Sequence, residues 1–245
     1  MGDEAPLLEG HISRAFDGDL AALQMRVVAM GGLVLSQVQT ACHAYSHWLA
    51  EDARLVTSRE PLVNAQELEI DEEAQRVIAK RQPVASDLRA IMAIERVLTD
   101  LERMGDEANK IARVVLVDAR RAGSASGSEP GAATARDVRQ LGRLAAGMVR
   151  SALEAFDRLD VAAAELVVRR DAELDTEYAA GLRRLLSRAM EDPRRLQHAV
   201  EAAFVLKSIE RIGDHARNLA LQVIHLVRGD AVRAARATAL VDHPQ

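Results

Sequence analysis

The sequence predicts an all-α protein, made of two tandem, internally duplicated three-helix bundles. Three observations lead there. Apolar residues recur at helical spacing through almost all of the 245 residues, good helix formers (Ala, Leu, Arg, Glu) dominate, and no segment alternates as a strand would. Ala122 to Ala133, AGSASGSEPGAA, has linker composition, with Gly and Ser for flexibility and Pro to stop a helix. The sequence Leu101-Glu102-Arg103-Met104-Gly105-Asp106 returns as Ile209-Glu210-Arg211-Ile212-Gly213-Asp214, 108 positions later. Looser echoes join Glu69-Ile70-Asp71 to Glu173-Leu174-Asp175, and Gly32 with Ser36 to Gly147 with Ser151. Duplication of one three-helix unit explains all three.

The elements follow in order. The first bundle, residues 11–121, holds helices over about 17–50, 53–82 and 86–121, with Pro83 closing the second and Ser86 placed to cap the third. After the linker at 122–133, the second bundle, residues 134–228, holds helices over about 134–158, 160–190 and 194–228, punctuated by Asp160 and Pro193. Residues 229–245 form a C-terminal tail. At ~1.5 Å per residue the third helix is over 50 Å long, so the molecule should be elongated.

Composition narrows the function. At this length two modest cores are expected, built almost wholly from Leu, Val, Ile, Met and Ala because only 2% of residues are aromatic. The lone Cys42 excludes a disulfide framework and suits a reducing cytosol. A net charge of -5 and the lack of stacking aromatics argue against nucleic-acid binding. The N-terminus has no apolar run of signal-peptide type, which predicts a cytoplasmic protein. Val27 to Ala50 contains no Asp, Glu, Lys or Arg, but Ser36, Gln37, Gln39, Thr40, His43, Ser46 and His47 interrupt it, so it reads as one buried face of a bundle helix rather than a membrane span.

The candidate chemistry is carboxylate chemistry. Glu102 and Asp106, like Glu210 and Asp214, lie four apart on one helix face, where like charges repel. The second helices carry Glu67 with Asp71, and Asp171 with Asp175, at the same spacing. Counted along antiparallel helices, Asp175 is level with Glu210, and Asp71 is within about one turn of Glu102. Each bundle can thus gather three or four carboxylates, an all-oxygen set suited to Mg, Mn or Fe rather than to a thiolate-preferring ion. Gly105 and Gly213, inside helices where Gly costs about 0.5–1 kcal/mol relative to Ala, predict close helix approach. His43 and His47 beside Cys42 lack a third zinc ligand at a recognisable spacing and read as the polar face of the first helix. His215 is placed to join a carboxylate cluster. No phosphate loop, nucleophile elbow or H-E-x-x-H is present, so no catalytic residue is assigned.

Gln82-Pro83-Val84-Ala85-Ser86-Asp87-Leu88-Arg89, then Glu102-Arg103-Met104-Gly105-Asp106, then Glu210-Arg211-Ile212-Gly213-Asp214-His215-Ala216-Arg217-Asn218 resemble the PhoU family of phosphate-signalling proteins. His11-Ile12-Ser13, Phe16-Asp17, Leu20 and Met30-Gly31-Gly32 extend the resemblance, which runs to about Arg228. It implies two three-helix bundles, a regulator without catalysis of its own, and metal clusters held by the E-x-x-x-D acids. As partners it implies the ATPase subunit of the phosphate ABC transporter and the phosphate-sensing histidine kinase, with a homodimer as the assembly. Through them such proteins restrain phosphate uptake and keep the starvation response off when phosphate is plentiful. One departure stands out. The sixth helix has Asn218 where the family pattern places Asn, but the third has Lys110, with Asn109 one step earlier. A lysine there would repel a cation, so the second cluster is expected to be the more secure. The rival reading is a carboxylate-bridged di-metal enzyme, although the chain lacks the paired E-x-x-H set of such bundles.

Overall fold

The computed structural model describes residues 14–84, 86–121 and 131–241. His11-Ile12-Ser13, most of the 122–133 linker and the last four residues lie outside them. Among the described residues there are six α-helices and one short 3-10 turn, and no strand: α1 Arg14–His47, α2 Ala50–Arg81, α3 Ser86–Arg121, α4 Ala132–Arg158, α5 Val161–Glu191, the turn Pro193–Arg195, and α6 Leu196–Val241. Five of the six lie within about three residues of their expected bounds. The exception is α6, which continues past residue 228 through Gly229 into an Ala- and Arg-rich stretch of good helix formers.

The breaks have local causes. The α2 C-terminus closes on Gln82 in the left-handed region, its N–H donating to the Ile78 carbonyl, and Pro83 then forbids another turn. Asp160 caps α5, its side chain accepting from the Ala163 N–H at 3.0 Å. Ser86 is not the cap it was expected to be: it lies inside the first turn of α3 and donates to Asp87 Oδ1 at 3.3 Å. The α1–α2 turn falls at Trp48, with φ 55°, and the α4–α5 turn at Leu159, with φ 51°. Neither is a glycine, so the usual composition signal is missing and each turn stores about 1–2 kcal/mol of backbone strain.

Helices α1, α2 and α3 pack on one another, as do α4, α5 and α6; α1 also packs on α4 and α3 on α6. The expected pair of separate cores is therefore one. Buried side chains of both bundles, from Leu23, Val27, Met30 and Val34 to Met148, Phe156, Ile209 and Ile212, form a single cluster. Small residues make the junction possible: a Cβ on Gly31 would overlap Leu153, and one on Gly142 would lie 2.7 Å from Cys42 Sγ. By length and composition α1 is apolar enough to cross a membrane. Its stripe of Leu23, Val27, Met30, Val34 and Val38 is instead fully buried against three neighbouring helices.

Candidate functional site

Each bundle brings its predicted carboxylates together between its second and third helices. In the first, α2 supplies Glu67 and Asp71, and α3 supplies Glu95, Glu102 and Asp106. Their mutual influence traces the arrangement. Burial, then Asp71 and Asp106, push the Glu67 carboxyl up. Burial, then Asp106 and Glu67, push Glu102 up against the opposing pull of Arg103 and His215. Glu95 moves furthest, to about 7, through burial, the charge of Asp71, a hydrogen bond with Asp71, and the charge of Glu67. Asp71 therefore sits opposite Glu95, two turns from the level of Glu102 at which it was expected, and Glu67 faces Glu102 and Asp106.

Glu95 was missed from the sequence. A signal existed: it precedes Glu102 by seven residues, and so lies on the same helix face. Its Oε1 is buried without a hydrogen-bond partner. Asp71 also accepts from Gln75 Nε2 at 2.9 Å. Among the described residues, none of these five acids forms a salt bridge.

The second cluster is built on the same plan but differs in charge. Burial raises Asp171, Arg217 lowers it, and Asp175, Asp214 and Glu210 raise it again. Arg217 Nε reaches Asp171 Oδ2 at 3.1 Å, and Lys207 Nζ stands 2.5 Å from Glu210 Oε2. Lys207 is held protonated by that contact and lies 5.5 Å from the Tyr178 ring centre. Asp175 points to solvent. Thus the expectation about Lys110 is reversed: Lys110 turns away to pair with Glu107 at 2.9 Å, while Asn109, at the repeat position of Arg217, is the buried residue. It is the second cluster that carries built-in cations.

The glycines also separate. A Cβ on Gly213 would overlap Leu174 Cδ2, as close approach predicts, whereas one on Gly105 would meet only ordinary contacts, Gln37 Oε1 at 3.4 Å and Val63 Cγ1 at 3.5 Å. His215 does not complete its own bundle's cluster. Buried, it donates from Nδ1 to Asp100 Oδ1 at 2.9 Å, in the other half. With Glu107–Arg211 at 2.9 Å and Arg96–Gln222 at 3.4 Å, it forms a polar ladder where α3 and α6 run antiparallel. His43 donates to Asp52 at 2.8 Å and His47 to the His43 carbonyl at 3.1 Å, so both belong to the polar edge of α1.

The first cluster fits a hard cation by donor chemistry: oxygen ligands, mutual repulsion, and a buried carboxylate oxygen with nothing to bind. As the side chains stand, no three His, Cys, Asp or Glu of the described residues are arranged to hold one metal ion. A cation would have to draw these acids inward by rotamer changes.

Comparison with known proteins places the chain. The PhoU domain matches twice, over residues 27–115 and 138–223, once for each bundle. The phosphate-specific transport system accessory protein PhoU homolog of Pseudomonas putida is 42% identical over 226 residues, covering 92% of this chain and 86% of that protein. The Escherichia coli (strain K12) accessory protein PhoU is 36% identical over 226 residues, covering 92% and 90%. Among solved structures, PhoU from Pseudomonas aeruginosa superposes with a TM-score of 0.81 at 41% identity, over 87% of this chain and 99% of that one. The phosphate transport system regulatory protein PhoU from Streptococcus pneumoniae gives 0.76 at 26% identity, over 87% and 97%. These relatives bear the names of accessory and regulatory proteins, not of enzymes. With both halves matched, in order and over nearly their whole length, the chain belongs to the PhoU family.

Proposed function

We propose that this chain is an accessory protein of phosphate transport, not an enzyme, and acts in the cytoplasm as a negative regulator of phosphate uptake and of the phosphate-starvation response. The observation that carries the reading is the near full-length likeness of both bundles to transport-system accessory proteins. In this role it links the ATPase subunit of the phosphate ABC transporter to the phosphate-sensing histidine kinase, as a homodimer. Its output is a shift between bound partners, which needs no chemical step. Glu67, Asp71, Glu95, Glu102 and Asp106 would hold divalent or iron-type ions in the first bundle, and Asp171, Asp175, Glu210 and Asp214 a weaker site in the second. The metal would cancel the repulsion among the acids and fix α2 against α3, and α5 against α6, leaving the outer faces rigid for docking.

Deletion of the gene tests the regulatory role. Alkaline phosphatase output should rise several-fold in phosphate-replete cells, and the intact gene should restore repression. Normal repression in the deletion strain would refute it.

A further inference from the structure

A groove of about 360 Å³ runs between α1 and α4, away from both carboxylate clefts. Its walls carry Arg139, Arg143 and Arg150 on one side and His43 and His47 on the other, and none of its lining residues is acidic. In a chain of net charge -5 this is a local reversal of sign. About half of the described arginines elsewhere are ion-paired to an acid, as in Arg26–Glu69, Arg113–Glu60, Arg184–Asp137 and Arg217–Asp171. Here they are not. Among the described residues Arg139 and Arg150 have no ion-pair partner, and Arg143 donates only to the neutral Gln140 carboxamide, at 2.7 Å. One carboxylate touches a lining residue, Asp52 on His43.

The spacing says what kind of anion would fit. Positions 139, 143 and 150 fall within about 40° of one another around α4, and at ~1.5 Å per residue they extend over ~16 Å. One orthophosphate cannot reach all three guanidinium groups. A short chain of linked phosphates can, each arginine offering a fork of parallel N–H donors to phosphate oxygens. The floor is open for a structural reason: a Cβ on Gly147 would meet nothing within 4 Å, and Gly142 packs directly on Cys42. His43 and His47, with ring centres 4.2 Å apart, line the facing wall on α1.

We propose that the α1–α4 groove is a binding site for a linear oligophosphate, held by Arg139, Arg143 and Arg150. The site is independent of the carboxylate clusters and of the regulatory role argued above.

Calorimetric titration of the full chain with tripolyphosphate, orthophosphate, citrate and a hexaglutamate peptide at one ionic strength tests it. Tripolyphosphate should bind at least tenfold more tightly than the other three, and less tightly as salt rises. Arg143→Ala and Arg150→Ala should each weaken it about tenfold, whereas Arg169→Ala, on α5, should not. Gly147→Leu keeps every charge but fills the groove, and should weaken binding as strongly. Circular dichroism of each variant verifies the fold. Unchanged affinity in the Arg139, Arg143 and Arg150 triple alanine variant would overturn the proposal. So would equal binding of hexaglutamate, which would mark a surface for acidic peptides, or indifference to Gly147→Leu, which would mark diffuse charge rather than a site.

Discussion

In the first bundle five carboxylates share a cleft and no described lysine or arginine is ion-paired to any of them; in the second, Arg217 and Lys207 are paired with Asp171 and Glu210. The backbone plan is the same, and so is the E-R-x-G-D core of the third helix. What changed is a handful of positions. Glu95 has Ala203 as its repeat equivalent, Thr99 has Lys207, and Asn109 has Arg217. The second half has exchanged an acid for alanine and two neutral side chains for cations. Duplication thus yields one cleft whose acids have no ion-pair partner among the described residues and one that is partly neutralised by the chain itself. Paired acids in the second bundle offer fewer free oxygens, and an arriving metal must compete with Lys207 and Arg217.

The largest effect expected from this difference is on metal-linked stability. Mn²⁺ or Mg²⁺ at a hundred times its dissociation constant should stabilise the native protein by about 2.7 kcal/mol per site, read from thermal unfolding. Glu102→Gln with Asp106→Asn should remove most of the shift, and Glu210→Gln with Asp214→Asn a smaller part. A larger loss from the second pair would reverse the ranking of the clusters; no shift with Mn²⁺, Mg²⁺ or Fe²⁺ would remove metal from the reading of both.

The next effect separates the two glycines. Gly213→Ala forces a methyl group into Leu174, which is only 1% exposed, and should destabilise the protein by about 1–2 kcal/mol after the gain in helix propensity is subtracted. Gly105→Ala meets ordinary contacts and should be neutral or stabilising by about 0.5 kcal/mol. Urea midpoints of the two variants make the comparison. Equal losses would mean that the tight approach in the second bundle exists in the first as well.

Much of this architecture was legible in the residues. Apolar periodicity, Pro83, Asp160 and the repeated E-R-x-G-D core located the helices and the eight acids, because helix faces and caps are local properties of sequence. The turns at Trp48 and Leu159 were less legible, since tertiary packing holds a left-handed residue there without glycine. Register was the second gap. Counting from turns placed Asp71 near Glu102, yet side-chain packing sets it opposite Glu95. The third gap was pairing across the duplication. Neither His215 with Asp100 nor Arg211 with Glu107 follows from spacing, because each depends on how α3 meets α6.

The smallest effect is the pH dependence that Glu95 confers on the first cluster alone. Its carboxyl is raised from 4.5 to about 7, chiefly by burial and then by Asp71 and Glu67. In the unfolded chain it loses its proton near 4.5, while in the native protein it keeps it until about 7. Across that window the native state binds more protons, so stability falls as pH rises, and above about 7 the whole penalty is present. Glu95→Gln should abolish this slope: no difference from the parent at pH 4, and a gain of about 1 kcal/mol at pH 8 once partial exposure is discounted. Urea unfolding at pH 4, 6 and 8 measures it. Ala203→Gln, at the equivalent place in the second bundle, should leave the pH profile unchanged. Parallel profiles for the parent and Glu95→Gln would mean that Glu95 titrates as a solvated acid, and that the first cleft is less closed to water than its burial and unpartnered Oε1 indicate.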